Sequence, residues 1–413
     1  MTTLLRIAWR NLWRNPRRTG LTAAATVFAI VLTIWTLALA AGSHERWIDT
    51  IVRIYPGHVE VSAEGYRENR TLDYGMRLSD EGLRGLEALP EGTGWAPRLE
   101  AWALAIPDRE GSLGRAAWLV GVDPAREQGL SRLATMISDG RFLNGEPGFE
   151  VLLGETLARN LDASVGDSII LLSTDYYGSQ SADRFRLVGT LAVGDPTIDA
   201  YAAVVRLADL QGFLEFEGGL SHVALFSEKS DDTASLAGDL VRVFEPDEYE
   251  VTAWPELIPE VVQLMVLDDI GAWITMGILI VVVAFGILNT ILMSVFERVR
   301  EFGVLRAIGM RPRAVFSLVL AESALLALVG IAIGIAIAIP LVLWFEQNPI
   351  PMTGESFSQV AEVFRVEPVI VFAFRTSHFV VTPLIIFVVA MLSALPPALR
   401  ASRGRPVDAL REV

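Results

Sequence analysis

Hydrophobic residues in this chain are gathered into a few long blocks, separated by stretches in which apolar and polar positions alternate. Four blocks are long enough to cross a bilayer, whose hydrocarbon core of about 30 Å needs roughly 20 helical residues. They run over about Leu21–Ala41, Ile270–Phe296, Val315–Phe345 and His378–Leu399. The pattern predicts an N-terminal helix (1–19), spans at 20–42, 268–296, 314–345 and 378–399, a connecting helix (297–313), an external loop (346–377) and a tail (400–413). Ala38-Leu39-Ala40 resembles a signal cleavage site, but the apolar run exceeds the roughly 7–15 residues of a signal core, so the first block reads as a span.

Between the first two blocks lies a long insertion, 43–265, with mixed periodicity. Gly57-His58-Val59-Glu60-Val61-Ser62 alternates as a strand does, and Asp80–Leu89 carries Leu83, Leu86 and Leu89 on one helical face. Strands are predicted at Val151–Leu153, Ser168–Ser173, Phe185–Val193, His222–Phe226 and Glu250–Ala253. Helices are predicted at Gly154–Leu161 and Asp232–Phe244. This is an α+β domain with a helix-poor middle from about 97 to 195. Within it the turn Asp175-Tyr176-Tyr177-Gly178 offers two tyrosines as a candidate client or partner contact, against the plainer reading of an ordinary strand connection.

Two shorter amphipathic patterns flank the spans. Leu4, Leu5, Ala8, Trp9, Leu12 and Trp13 recur at helical spacing opposite Arg6, Arg10, Arg14 and Arg17, the arrangement of a helix lying in the membrane interface, ended by Pro16. Between the second and third blocks, Val299, Phe302, Leu305 and Ile308 fall every third residue, Gly309 stops the pattern and Pro312 opens the next helix. A short stiff helix there can seat on a partner and move two spans together. The third block also carries Gly330-Ile331-Ala332-Ile333-Gly334, which permits close helix approach, and an intramembrane acid, Glu322.

Charge orients these pieces. The N-terminal segment, the 297–313 connector and the tail are rich in arginine, whereas residues 43–269 hold 18 basic against 40 acidic residues, a balance of −22. By the positive-inside rule both termini and the connector are cytoplasmic and the insertion is periplasmic, in a bacterial inner membrane. An acidic external domain argues against nucleic-acid binding. The chain has no cysteine, which excludes disulfides and thiolate metal sites. Its four histidines are scattered without metal-ligand spacing, and no nucleophile motif is present, so no catalytic, metal or cofactor site is predicted. The one lysine, Lys229, follows Glu228 where a phosphate loop needs glycine, so ATP is not held by this chain in the P-loop manner.

Several stretches resemble one family. Ala8–Thr19 (AWRNLWRNPRRT), Asn289–Gly309 (NTILMSVFERVREFGVLRAIG) and Leu395–Arg411 (LPPALRASRGRPVDALR) resemble the opening, the coupling helix and the ending of FtsX-like permeases of the MacB/LolC type, the type VII ABC transporters. Gly140-Arg141-Phe142, Val151–Asp167 and Phe185–Leu191 resemble their periplasmic core. The resemblance implies a permease that binds no cofactor, works with a cytoplasmic ABC ATPase dimer carrying ATP-Mg, pairs with a second copy or paralogue, and relays motion to its external domain. It implies a porter-like lobe (43–95 plus 196–265) with an inserted lobe (96–195), and an ATPase contact built from Arg298, Arg300, Glu301, Phe302, Gly303, Leu305, Arg306 and Gly309. Size and topology are most similar to the lipoprotein-releasing LolC/LolE permeases. That implies release of lipoprotein or another amphiphile, with a periplasmic carrier or adaptor as a further partner. Peptide or drug efflux, and signalling to cell-wall hydrolases, are the alternatives.

Overall fold

The computed structural model describes residues 2–14, 16–227, 233–245, 247–352 and 369–403, with side chains from Arg6 onward except that of Arg18. The side chains of Leu4 and Leu5, together with Asp232, Lys229, residues 353–368 of the loop 346–377 and the tail beyond Arg403, lie outside the described residues. Chain contacts divide the protein into two compact units. One gathers 1–44, 264–351 and 369–413; the other contains 45–263.

The first unit is helical. An N-terminal helix (Thr2–Leu12) precedes TM1 (Pro16–Val52), TM2 (Pro259–Glu297), TM3 (Pro312–Gln347) and TM4 (Thr376–Arg403), and a loop helix (Val299–Ala307) joins TM2 to TM3. All four long helices have the length and apolarity to cross a membrane. Pro16 does not end the N-terminal helix, which stops at Leu12; it opens TM1 instead. Proline suits a first helical turn because its missing N–H would have no partner there. TM1 outruns its apolar block by eleven residues because no proline intervenes before Pro56.

The bundle core packs Ile30, Ile34, Ile287, Ile291, Val315, Val319, Ile386 and Ala390. Gly330 and Gly334 face TM1, where a Cβ would stand 2.7 Å from Thr26 Cβ and 2.8 Å from Ile30 Cβ. The backbones approach closely because nothing larger than hydrogen stands between them.

The second unit is built on a ten-stranded sheet. Its strands are β1 (Val59–Ala63), β2 (Thr93–Pro107), β3 (Arg115–Val122), β4 (Ile137–Gly140), β5 (Glu150–Gly154), β6 (Ser168–Thr174), β7 (Gln180–Leu191), β8 (Ala202–Arg206), β9 (His222–Ser227) and β10 (Tyr249–Ala253). The order is β10-β1-β9-β2-β3-β8-β5-β7-β4, with β6 pairing β2 and β7. Pairing is antiparallel except for β3–β8 and β5–β7.

One hydrophobic cluster joins β1 and β9 to helices Asp80–Glu87 and Thr233–Leu240 through Val59, Val61, Leu86, Leu225, Leu236 and Leu240. Ser79 caps the first of these helices, its Oγ accepting the Gly82 N–H at 3.1 Å. A second cluster packs β2, β3, β5, β6 and β7 against helices Glu155–Leu161 and Leu207–Phe213.

The sheet departs from the periodicity reading in its middle. The 15-residue β2 was not legible, because Gly94 and Pro97 look like breakers and its centre is buried on both faces. It runs unbroken through the expected 95/96 boundary, pairing β9 at one end and β3 and β6 at the other. Ala203, Val205, Leu210, Phe213 and Phe216 pack with the second cluster, so the clusters also part beyond the expected 195/196 boundary.

Candidate coupling site

At the end of the bundle where TM2 turns into TM3, charged residues from three elements converge. Arg298 occupies the position just before the loop helix, with φ −112° and ψ 14°. Its Nη1 donates to both carboxylate oxygens of Glu322 on TM3, each at 2.9 Å, and its Nε donates to Glu301 Oε2 at 3.1 Å. Two side chains of the N-terminal segment complete the network. Asn11 Nδ2 donates to Glu322 Oε1 at 2.6 Å, and Arg14 Nη1 donates to Glu301 Oε1 at 2.6 Å. The guanidinium of Arg298 also lies 5.1 Å from the centre of the Phe302 ring. A polar cavity of about 270 Å³ adjoins these groups, lined also by Thr19, Thr290 and Ser294.

This geometry explains how Glu322 is tolerated. An acid inside a span is costly unless paired, and here it accepts from a guanidinium and an amide. Burial disfavours the charge on Arg298, but Glu322 and Glu301 outweigh it and hold its pKa above the usual arginine value. Burial likewise pushes the Glu301 carboxyl up, and the hydrogen bonds from Arg14 and Arg298 outweigh it, leaving it below the ordinary glutamate range. Arg298 and Glu301 are therefore both held charged.

The loop helix ends at Ala307, two residues before Gly309, whose φ of +105° is open to glycine at little cost. Its apolar stripe does not point outward along its whole length. Phe302 is 3% exposed and Gly303 is buried, while Leu305 packs partly against the bundle core. An apolar stripe at a bundle's end buries against the nearest apolar surface, which here is the bundle itself. Arg300, Val304, Ala307 and Ile308 form the open face, at the i, i+4, i+7, i+8 spacing of one helix side, with Ile308 79% exposed. Arg306 is half-buried. Of the residues singled out from sequence, the structure brings Arg298, Glu301 and Glu322 together, leaves Arg300 outward, and turns Phe302 and Gly303 inward.

The paired tyrosines stay edge to face, with centroids 5.4 Å apart, but differ in exposure. Tyr176 stacks on Phe216 with centroids 4.3 Å apart and planes 6° apart, under the guanidinium of Arg77. It belongs to the domain's packing, because a half-buried ring that can stack does so. Tyr177 alone is presented, 73% exposed, with its N–H bonded to the Asp175 carboxylate at 2.9 Å.

Sequence reading missed a buried polar centre in the second unit. Arg98 and Glu127 are both fully buried and paired through two hydrogen bonds, of 2.9 and 3.2 Å. Arg98 also donates to the Tyr55 carbonyl and lies 4.2 Å from the centre of the Tyr55 ring. The hydroxyls of Tyr55 and Tyr66 both donate to Glu100, at 2.5 and 2.9 Å. Burial, then the neighbouring Glu100 charge, raises both tyrosine pKa values. The partners are separated by 29 to 45 positions, so no local spacing marks them. Among the described residues, no group of three or more His, Asp or Glu side chains is arranged to hold a metal.

Comparison with known proteins joins the two units. Residues 19–243 match the MacB-like periplasmic core domain, and 273–406 match the C-terminal part of FtsX-like permeases. The chain is 26% identical over 393 residues to the lipoprotein-releasing system transmembrane protein LolC of Xylella fastidiosa, covering 92% of this chain and 91% of that one. It is 28% identical over 210 residues to the ABC transporter permease YtrF of Bacillus subtilis, covering 49% of this chain and 45% of that one. It is 34% identical over 131 residues to the macrolide export ATP-binding/permease protein MacB of a Shewanella strain, covering 32% and 18%. With its core domain between the first two spans and its permease part across the last three, the chain belongs to the FtsX-like ABC transporter permeases with a MacB-like periplasmic core.

Proposed function

We infer that this chain is the permease subunit through which a separate cytoplasmic ABC ATPase dimer drives its extracytoplasmic domain, and that its client is a lipoprotein or another membrane-anchored amphiphile. The observation that carries this reading is the network of Arg298, Glu301, Glu322, Asn11 and Arg14. It ties the loop helix to TM3 and to the N-terminal helix, so a push on Arg300, Val304, Ala307 or Ile308 reaches both elements at once. The arginine-rich ends support a cytoplasmic location for this helix and both termini, and a second permease copy or paralogue completes the assembly. ATP-Mg is bound by the partner ATPase.

Likeness to LolC over most of both chains supports this client, as does energetics. Each acyl CH₂ in the membrane holds a lipoprotein by about 0.8 kcal/mol, so extraction needs work supplied from outside the binding site. The likeness to MacB supports efflux of a small amphiphile with a periplasmic adaptor as a second reading.

Co-purification with the ATPase tests the coupling face. Ile308→Asp combined with Arg300→Glu is expected to abolish ATPase recovery while membrane insertion is unchanged, and undiminished recovery would refute the face. Glu322→Gln is expected to retain the ATPase but to lose stimulation of its turnover by client. Deleting the gene is expected to leave acylated lipoproteins in the inner membrane. Loss of macrolide or peptide resistance with normal lipoprotein sorting would favour the efflux reading.

A further inference from the structure

A groove of about 610 Å³ runs between the N-terminal helix, the first half of TM1 and the outer face of TM3. Its rim carries Trp9 and Trp13, packed edge to face with centroids 6.0 Å apart and 47% and 59% exposed. Its floor is made of the small residues Gly20 and Ala24, and its far wall includes Val27 and Ile333. The lining from Thr19 to Val31 is about 18 Å of helix. That is close to half the roughly 30 Å hydrocarbon core, the depth of a single leaflet. Within one helical turn in sequence of the lining residues Trp9, Trp13 and Pro16, the side chains of Arg6, Arg10 and Arg17 are exposed, and none pairs with an acid among the described residues.

An apolar slot one leaflet deep, opening at interfacial tryptophans beside unpaired guanidinium groups, matches a lipid acyl chain below and an anionic headgroup above. We propose that this groove is a binding site for one anionic phospholipid, its acyl chain lying along Gly20, Ala24 and Val27 and its phosphate held by Arg10 and Arg17.

Occupancy bears on the coupling site. Leu12, Thr19 and Leu326 line both this groove and the polar cavity beside Glu322. A chain in the groove packs against the helix that presents Asn11 to Glu322, and so holds the network closed. Adding side chains to the floor is compatible with the fold, because a Cβ on Gly20 meets nothing within 4 Å.

The experiment is native mass spectrometry of the full chain, released from micelles containing equal phosphatidylglycerol and phosphatidylcholine. Wild type is expected to retain phosphatidylglycerol in preference to phosphatidylcholine. The Gly20→Leu/Ala24→Leu variant, checked for unchanged elution and helicity, is expected to lose the retained lipid. Arg10→Gln and Arg17→Gln are each expected to cut the phosphatidylglycerol preference about fivefold. Equal retention of the two lipids, or undiminished retention by the filled-groove variant, overturns the proposal. So does a disulfide between two Ala24→Cys chains, which would show a second copy covering the groove; the absence of native cysteine makes that result unambiguous.

Discussion

At the scale of single residues, two ionisable groups, one half-buried and one fully buried, behave oppositely because of what faces them. Arg298 keeps its charge since two carboxylates receive it, whereas His58 is fully buried with no acid receiving its proton. Burial, and secondarily the charge of Arg53, lowers the His58 pKa from 6.5 to about 4. Its Nδ1 already accepts the Ser227 N–H at 3.2 Å, so a proton there would oppose a donor. Between pH 6.5 and about 4 the unfolded chain takes up a proton that the folded chain refuses. The stability from neutral His58 is thus full above 6.5 and is lost as pH falls toward 4, on the order of 3 kcal/mol in all. Hydrogen-exchange protection of β9, corrected for intrinsic rates, is expected to drop over that window in wild type and to stay level in His58→Asn. Equal pH slopes would refute the assignment.

At the scale of elements, helix contacts are set by side-chain size and helix ends by proline and glycine. TM1 and TM3 meet where Gly330 and Gly334 admit Thr26 and Ile30. Gly334→Leu would force a branched side chain into that contact and is expected to destabilise the bundle by about 1–3 kcal/mol. A lowered melting temperature in detergent would register it. Gly286→Leu on TM2, where a Cβ meets nothing within 4 Å, is the matched control and is expected to melt as wild type does. The existence of the loop helix was legible from Val299, Phe302 and Leu305, but its outward face was not. Spacing says which residues share a side; the neighbouring bundle decides that this side is buried.

At the scale of the whole molecule, charge and hydrophobicity are distributed together. The external unit carries the acidic excess and the helix ends carry the arginines, which predicts the topology. Single cysteines at Ile308 and Leu113, both more than three-quarters exposed, allow a direct check. A membrane-impermeant thiol reagent applied to intact spheroplasts is expected to label Leu113→Cys and spare Ile308→Cys, with the reverse in inverted vesicles. Labelling of both from one side would overturn the orientation and, with it, the coupling reading.

The spans, their order, the mixed external domain and the absence of a phosphate loop were determined by the sequence alone, because each depends on local composition and runs of like residues. Tertiary structure decided what depends on distant residues meeting. It tied Glu322 to Asn11, 311 positions away, and closed Arg98 onto Glu127. It also withdrew Tyr176 into a stack with Phe216 and turned Phe302 inward. A periodic pattern records only which side of an element is apolar. Which neighbour covers that side, and which charge answers a buried charge, is fixed by packing between segments far apart in the chain.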